Sequence, residues 1–246
     1  MRSRPEDWIV PDWPAPERVR ALITSRNGGG STGPYASMNL GLSVNDDPDA
    51  VEANRRLLRR FLPAEPRWLD QVHGATVIDA ETVTHPVQAD ASVTKNPGCV
   101  SVVMVADCLP ILFSDRSGSV IAAAHAGWRG LAAGVIENTV RALDRPPQNL
   151  LAYLGPAIGP SAFEVGNEVR DAFVAIDEAA EYAFHPHKPG KWHADLFVLA
   201  RQRLARIGLL NVFGGGQCTY SDPARFFSHR RDRVSGRMAA LIWIED

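Results

Sequence analysis

The chain has 246 residues, 45% of them hydrophobic and 22% charged, with a formal net charge of −2. That length can bury a full core in one domain, and the near-neutral balance offers no field for nucleic acid or an anionic membrane. No apolar run approaches the roughly 18 residues of a membrane span, the N-terminal MRSRPEDWIVPDWPAP lacks the apolar core of a secretory signal, and three cysteines are too few for a disulfide scaffold, which points to a reducing cytoplasm.

In chain order, residues 1–18 read as an N-terminal extension and Val19–Thr24 as a short strand. The strand runs into Ser25-Arg26-Asn27-Gly28-Gly29-Gly30 and on to Tyr35. These glycines suit a mobile turn, although Arg26 beside backbone that a ligand can approach closely also suits an anion. Asp47-Pro48 is a helix start, with Asp as N-cap and Pro in the first turn; Val51, Leu57, Leu58 and Phe61 supply its apolar face. Arg55, Arg56, Arg59 and Arg60 fall on other faces and read as solvated surface, since no aromatic residues are interleaved with them. Trp68–Gly74 leads into a strand over Ala75–Ala80, with His73 at its edge.

Cys99–Ala106 is almost wholly apolar and rich in valine, as a strand buried on both faces would be. Asp107-Cys108 ends that run, Pro110–Phe113 begins a second, Ser114–Gly118 is a turn, and Val120–Ala124 is a third strand that delivers His125. We read these strands as a hairpin array that carries Cys108 and His125 to the rim of a rigid sheet. Gly127-Trp128-Arg129-Gly130 then opens a helix with Leu131, Val135, Ile136, Val140 and Leu143 on one face, and small residues at such a helix start favour an anion. Leu150–Leu154 reads as a strand, Gly155–Pro160 as a rigid loop, and Phe163 to Ile176 as a helix. His185 and His187 sit in a loop and read as exposed histidines rather than metal ligands. Leu196, Leu199, Ala200, Leu204 and Ile207 mark another helix, Gly214–Gly216 breaks the chain, Arg225–Asp232 is dense in charge, and Met238–Ile244 closes as a strand.

His73, Cys108 and His125 form the strongest chemical grouping. Two imidazoles and a thiolate match Zn²⁺, and three protein ligands leave a fourth position for water or substrate, as catalytic sites do. The spacings of 35 and 17 residues match no compact zinc motif, so the residues alone leave open a buried Cys108 beside two unrelated histidines.

From Val19 to Ile244 the chain resembles the YfiH family, also called the peptidoglycan editing factor or polyphenol oxidase (laccase) family. The matching segments are Thr24–Gly29 with Tyr35–Gly41, Gln71-Val72-His73-Gly74, Ala89-Asp90-Ala91, Ala106-Asp107-Cys108-Leu109-Pro110, His125-Ala126-Gly127-Trp128-Arg129-Gly130, Gly155–Pro160, and Phe226-Phe227-Ser228 through Ala239. The resemblance implies a single layered α/β domain of the α+β type over residues 1–246, with mixed sheets flanked by helices. It implies zinc on His73, Cys108 and His125, with copper as the other metal in view. It implies purine nucleoside phosphorylase activity, with adenosine deaminase and methylthioadenosine phosphorylase activities beside it, so purine nucleosides and phosphate are the expected partners. Ser161-Ala162 stands where the family often has cysteines, and His229 where it usually has tyrosine before the paired arginines.

Within that frame Cys108, His125 and Asp107 are the expected catalytic residues, Asp107 as proton shuttle or as an orienting group. Arg26 and Arg129, with the helix start at Gly130, are the expected phosphate cradle, and Asn39 of the Tyr35–Gly41 motif joins them as a substrate-binding residue. Three rival readings stand beside this one. The same centre, or Cys108 as a nucleophile with His125 as base, would serve an amidase acting on a cell-wall precursor. Copper-dependent phenol oxidation is poorly supplied by seven histidines. The last is an interaction module whose metal only stabilises the fold.

Overall fold

The computed structural model of the chain describes residues 5–246. In chain order the strands are β1 (Val19–Ile23), β2 (Pro66–Arg67), β3 (Val77–Asp79), β4 (Ala91–Thr94), β5 (Val100–Val105), β6 (Leu109–Asp115), β7 (Ile121–Ala126), β8 (Leu150–Leu154), β9 (Glu164–Gly166), β10 (Phe184–Pro186), β11 (Lys191–Ala194), β12 (Val212–Gly214) and β13 (Met238–Ile244). The α-helices are α1 (Pro48–Arg59), α2 (Trp128–Ala133), α3 (Val135–Leu143), α4 (Asn167–Val174), α5 (Leu196–Arg206) and α6 (His229–Asp232). The strands form a four-stranded sheet in the order β1-β13-β5-β2, a six-stranded sheet β12-β8-β6-β7-β4-β3, and a small sheet β10-β11-β9. Both larger sheets are mixed: β2–β5, β3–β4 and β8–β12 pair in parallel, the rest antiparallel.

The alternation of side chains along a strand decides the layering. In β13, Ala240, Ile242 and Ile244 face the six-stranded sheet and pack with Val103, Leu112, Ile121 and Ala123, while Ala239, Leu241 and Trp243 face outward to Leu58 of α1, Val100 and Val102. Both faces are therefore apolar, and truncating a fully buried residue such as Ile242 to alanine costs about 2–5 kcal/mol. On the far face of the six-stranded sheet, Ile111, Phe113, Ala122 and Ala124 meet Leu131, Val135, Ile136, Phe173, Leu199 and Leu204 from α2 to α5. The alanines of β7 keep that face flat, so the helices approach it closely. Asp47 and Asp195 cap α1 and α5 by accepting from the first-turn N–H groups of Asp49 and of Phe197 and Val198.

Several expectations are corrected. β5 does not join the β6–β7 hairpin: the chain crosses from one sheet to the other through Ala106-Asp107-Cys108. The helix expected from Trp128 to Leu143 divides at Gly134, which sits at φ +93 and ends α2 as α3 begins. The segment from Phe163 is first a strand, β9, because Glu164–Gly166 pairs with β11, and the helix starts only at Asn167. Residues 1–4 of the expected N-terminal extension lie outside the described residues, but Trp8 is buried against Leu22 and Met38, and Ile9 bridges Ile23, so that part belongs to the body. Arg55 is not solvated surface: it donates to the Leu40 carbonyl and lies over the Trp68 ring at 4.0 Å. The glycine-rich loop is tied down by the buried Asn54, which accepts from Gly30 N–H and donates to the carbonyls of Ser37 and Asn39. No helix is long and apolar enough to cross a membrane among the described residues.

Candidate active site

The parity that sends Ile121 and Ala123 of β7 toward the opposing sheet sends His125 the same way, at the open end of the strand. Its partner across the hairpin is Pro110, which places Cys108 just beyond, in the crossover between sheets. Asp107 takes a φ of +86 and His73 a φ of +60, both unusual for residues with a Cβ, and each turns the chain so that the side chains converge. The ligand atoms of His73, Cys108 and His125 lie within 4.8 Å of one another, and the two imidazole rings meet edge to face. His73 is exposed, Cys108 half-buried and His125 buried, so the group opens on one side. Gly127 makes room for it: a Cβ there would stand 2.8 Å from the Cys108 Sγ.

Asp90, fully buried just before β4, organises the group. Its carboxylate accepts from the backbone N–H of His73 at 2.9 Å, of Gly74 at 2.6 Å and of Val72 at 3.3 Å, and pairs with His125 Nδ1 at 2.8 Å. Burial works against this carboxylate, but the His125 hydrogen bond and these N–H groups outweigh it and hold its pKa below the ordinary value. Holding Nδ1 leaves His125 Nε2 for a metal, the usual division of an imidazole between an ion and a carboxylate. Burial likewise opposes the Cys108 thiolate, yet the charge and hydrogen bonds of His125, then of His73, lower its pKa to about 6. The same pairing with Cys108 and Asp90 overcomes burial at His125 and raises its pKa to about 9. Two imidazoles and a ready thiolate on one point are a donor set that fits a borderline-soft divalent ion.

The group opens into a cleft of about 510 Å³. Its apolar lining residues are Leu69, Met104, Val105, Ile158, Phe163 and Trp128. Arg129, Arg230 and Arg237 bring positive charge, and Arg129 lies over the Trp128 ring at 4.5 Å. Gln71 exchanges two hydrogen bonds with the Met104 backbone and so anchors the loop that carries His73. A shallower depression by Asn138 and Arg141 holds no converging reactive groups.

Of the residues expected from sequence, His73, Cys108, His125, Asp107 and Arg129 line this cleft; Arg26 and Asn39 do not. Arg26 donates to the carbonyls of Ala36 and Pro223 and stacks on Phe227, so its guanidinium clamps two loops. Asn39 is fully buried and spent on Gly41, Asp46 and the Arg237 N–H. Asp107 accepts from Thr219 Oγ1 at 2.6 Å and from Arg230 N–H at 2.7 Å, which makes it an orienting group that seats α6 and not a free proton shuttle. Sequence reasoning gave no role to Asp90, Arg230 or Arg237. Asp90 and Arg237 lie inside the matching segments and Arg230 inside a charge-dense stretch, but no spacing ties them to site residues far away in the chain.

The sequence profile of the family described as multi-copper polyphenol oxidoreductase laccase matches residues 20–245. The chain belongs to this family. Its relatives include a purine nucleoside phosphorylase of Pseudomonas aeruginosa, 57% identical over 97% of this chain and 99% of the relative. Purine nucleoside phosphorylase YfiH of Escherichia coli is 53% identical over 96% and 98%. Among solved structures, a Neisseria meningitidis protein of family DUF152 superposes with a TM-score of 0.95 at 48% identity, covering 98% of this chain and all of that one. YlmD of Geobacillus stearothermophilus gives 0.85 at 31% identity, over 94% and 93%. The layered α/β fold expected from the resemblance is thus the fold of this laccase-like family.

Proposed function

We propose that the chain is a zinc-dependent purine nucleoside phosphorylase of the cytoplasm. The observation that carries this reading is the juxtaposition, in one cleft of about 510 Å³, of three arginines, apolar lining residues and the His73–Cys108–His125 group. The names of the relatives described above support it. When bound at His73, Cys108 and His125, a zinc ion would supply Lewis-acid polarisation to an oxygen or nitrogen of the substrate.

The chain's own residues account for the rest. Arg129 and Arg230 hold phosphate by charge-assisted hydrogen bonds, and Arg237, whose Nη1 donates to the Ser235 and Gly236 carbonyls, adds positive charge to the cleft. Trp128, Met104, Ile158 and Phe163 cover the purine and exclude water from the ribose. A phosphate oxygen attacks C1′, the bond from C1′ to N9 breaks, and its electron pair leaves with the purine, which takes up a proton. With Asp107 engaged by Thr219 and Arg230, we assign that proton to His229, which faces the same cleft from α6.

The test is product analysis on inosine and adenosine, with and without phosphate, on protein of known zinc content. Phosphorolysis gives free base and ribose 1-phosphate only when phosphate is present; deamination of adenosine gives inosine and ammonia without it. Arg129→Ala and Arg230→Ala each raise the KM for phosphate by about 10–100-fold, the worth of one charged hydrogen bond. Base release independent of phosphate, or an unchanged KM in both variants, overturns the reading.

A further inference from the structure

Three of the seven histidines gather on the small β10–β11–β9 sheet, outside the cleft. In its register His185 is opposite His193, and His193 is opposite Glu164, so the three side chains share one face. Trp192, their neighbour on β11, faces the other way and packs on the core. His187, just past β10, returns to the same face: its ring stacks on His193 at 4.2 Å between centroids, and its Nε2 lies 3.2 Å from Glu164 Oε2. The hairpin that carries it is closed by His187 N–H to the Lys191 carbonyl and Lys191 N–H to the Lys188 carbonyl, so His187 is held and not on a free loop.

We propose that Glu164, His187 and His193, with His185 beside them, form a second site for a divalent cation of the zinc type. Imidazoles with one carboxylate are a common zinc donor set, and nitrogen and oxygen ligands about 2.0–2.2 Å from a tetrahedral ion stand about 3.3 Å apart. His187 and Glu164 already have that separation. The His193 ring lies flat on His187, so a third bond requires it to turn off the stack. The place of the cation is taken by the Lys188 ammonium, 3.5 Å from Glu164 Oε2 and exposed enough to be displaced into water. The site differs in kind from the first, since it has no thiolate. It also adjoins the cleft wall: the Glu164 carbonyl accepts from Arg230 Nη1 at 2.8 Å, and Phe163 lines the cleft. An ion on Glu164 would therefore brace the strand against which Arg230 is set.

Zinc titration of the metal-free full-length protein, by equilibrium dialysis with metal analysis, tests this. The wild type takes up two zinc ions, Cys108→Ser one, and the double variant His187→Ala/His193→Ala one. Circular dichroism and the Tm verify folding, and because both rings lie on the outer face of the sheet their truncation leaves the core intact. Glu164→Gln, a milder change, weakens the second zinc by about tenfold or more through loss of the charged ligand. A wild type that takes up one zinc, or a His187→Ala/His193→Ala variant that still takes up two, overturns the proposal.

Discussion

Replacing Asp90 with asparagine tests whether one buried carboxylate holds both histidines of the centre. Asp90 accepts from four donors: His73 N–H and His125 Nδ1 at one oxygen, Val72 N–H and Gly74 N–H at the other. Asparagine keeps the shape but offers one oxygen and one NH₂. With the NH₂ toward Val72 and Gly74, two partly buried donors lose their acceptor. With it toward His73 and His125, the His73 N–H is stranded, and His125 escapes a clash only by giving up its Nδ1 proton and keeping one on Nε2, the nitrogen that must face the metal. A stranded buried donor costs about 1–3 kcal/mol, so the first orientation costs about 2–6 kcal/mol. For a chain of this size that lowers Tm by roughly 5–20 °C. The second orientation spoils a ligand, and loss of such a partner weakens metal binding by about 10–100-fold. Calorimetric Tm of the metal-free protein and zinc affinity by chelator competition measure the two effects. A variant with Tm within about 2 °C and zinc affinity within about threefold of wild type would show that Asp90 does not organise the centre.

Gly127→Ala places a methyl 2.8 Å from the Cys108 Sγ at a φ of −63, which alanine adopts freely, so the expected result is a folded protein with zinc binding weakened by about tenfold or more; unchanged affinity would refute the packing argument. Proton release reports the charge state of the metal-free centre. Between pH values of about 6 and about 9 Cys108 is a thiolate and His125 an imidazolium, so zinc uptake at about pH 7.5 displaces about one proton, from His125. Below the thiol's value Cys108 contributes a second, and calorimetry in buffers of different ionisation enthalpy counts both; no release at neutral pH contradicts the pairing. At the β6–β7 turn burial opposes the Asp115 carboxylate, but the hydroxyls of Ser117 and Ser119 and the N–H groups of Val120 and Ser119 depress its pKa. Its folded-state value lies below the unfolded one, so its contribution is fully present above about pH 4 and is lost as pH falls through the folded value. Asp115→Asn therefore flattens the acid limb of Tm against pH, and an unaltered limb would exclude it. Arg26→Ala lowers Tm by releasing Ala36, Pro223 and Phe227 while the phosphate KM holds; a raised KM with unchanged Tm would restore Arg26 to the cleft.

Much of the architecture is local and was legible. The apolar runs of Met238–Ile244 and from Val100 and the Asp47-Pro48 start of α1 each report their own surroundings through composition and capping. Residue type says that imidazoles and a thiolate suit a borderline-soft ion, but the choice of His73, Cys108 and His125 among seven histidines and three cysteines came from the resemblance to the YfiH family. The remainder depended on which segment lies against which. A buried strand pattern states that both faces are covered but not by what, and so it could not reveal that β5 and β6 belong to different sheets with Cys108 at the crossing. Arg26 and Asn39 looked like ligand residues because an arginine or asparagine beside glycines is equally able to bind backbone. Only the packing of loops 26–41 and 223–237 turned them inward. The same long-range pairing set Asp90 beneath both histidines, swung Arg230 and Arg237 onto the cleft, and laid His193 and Glu164 beside His187. Residue chemistry thus determined what these side chains can do, and tertiary contacts between distant segments decided which of them meet.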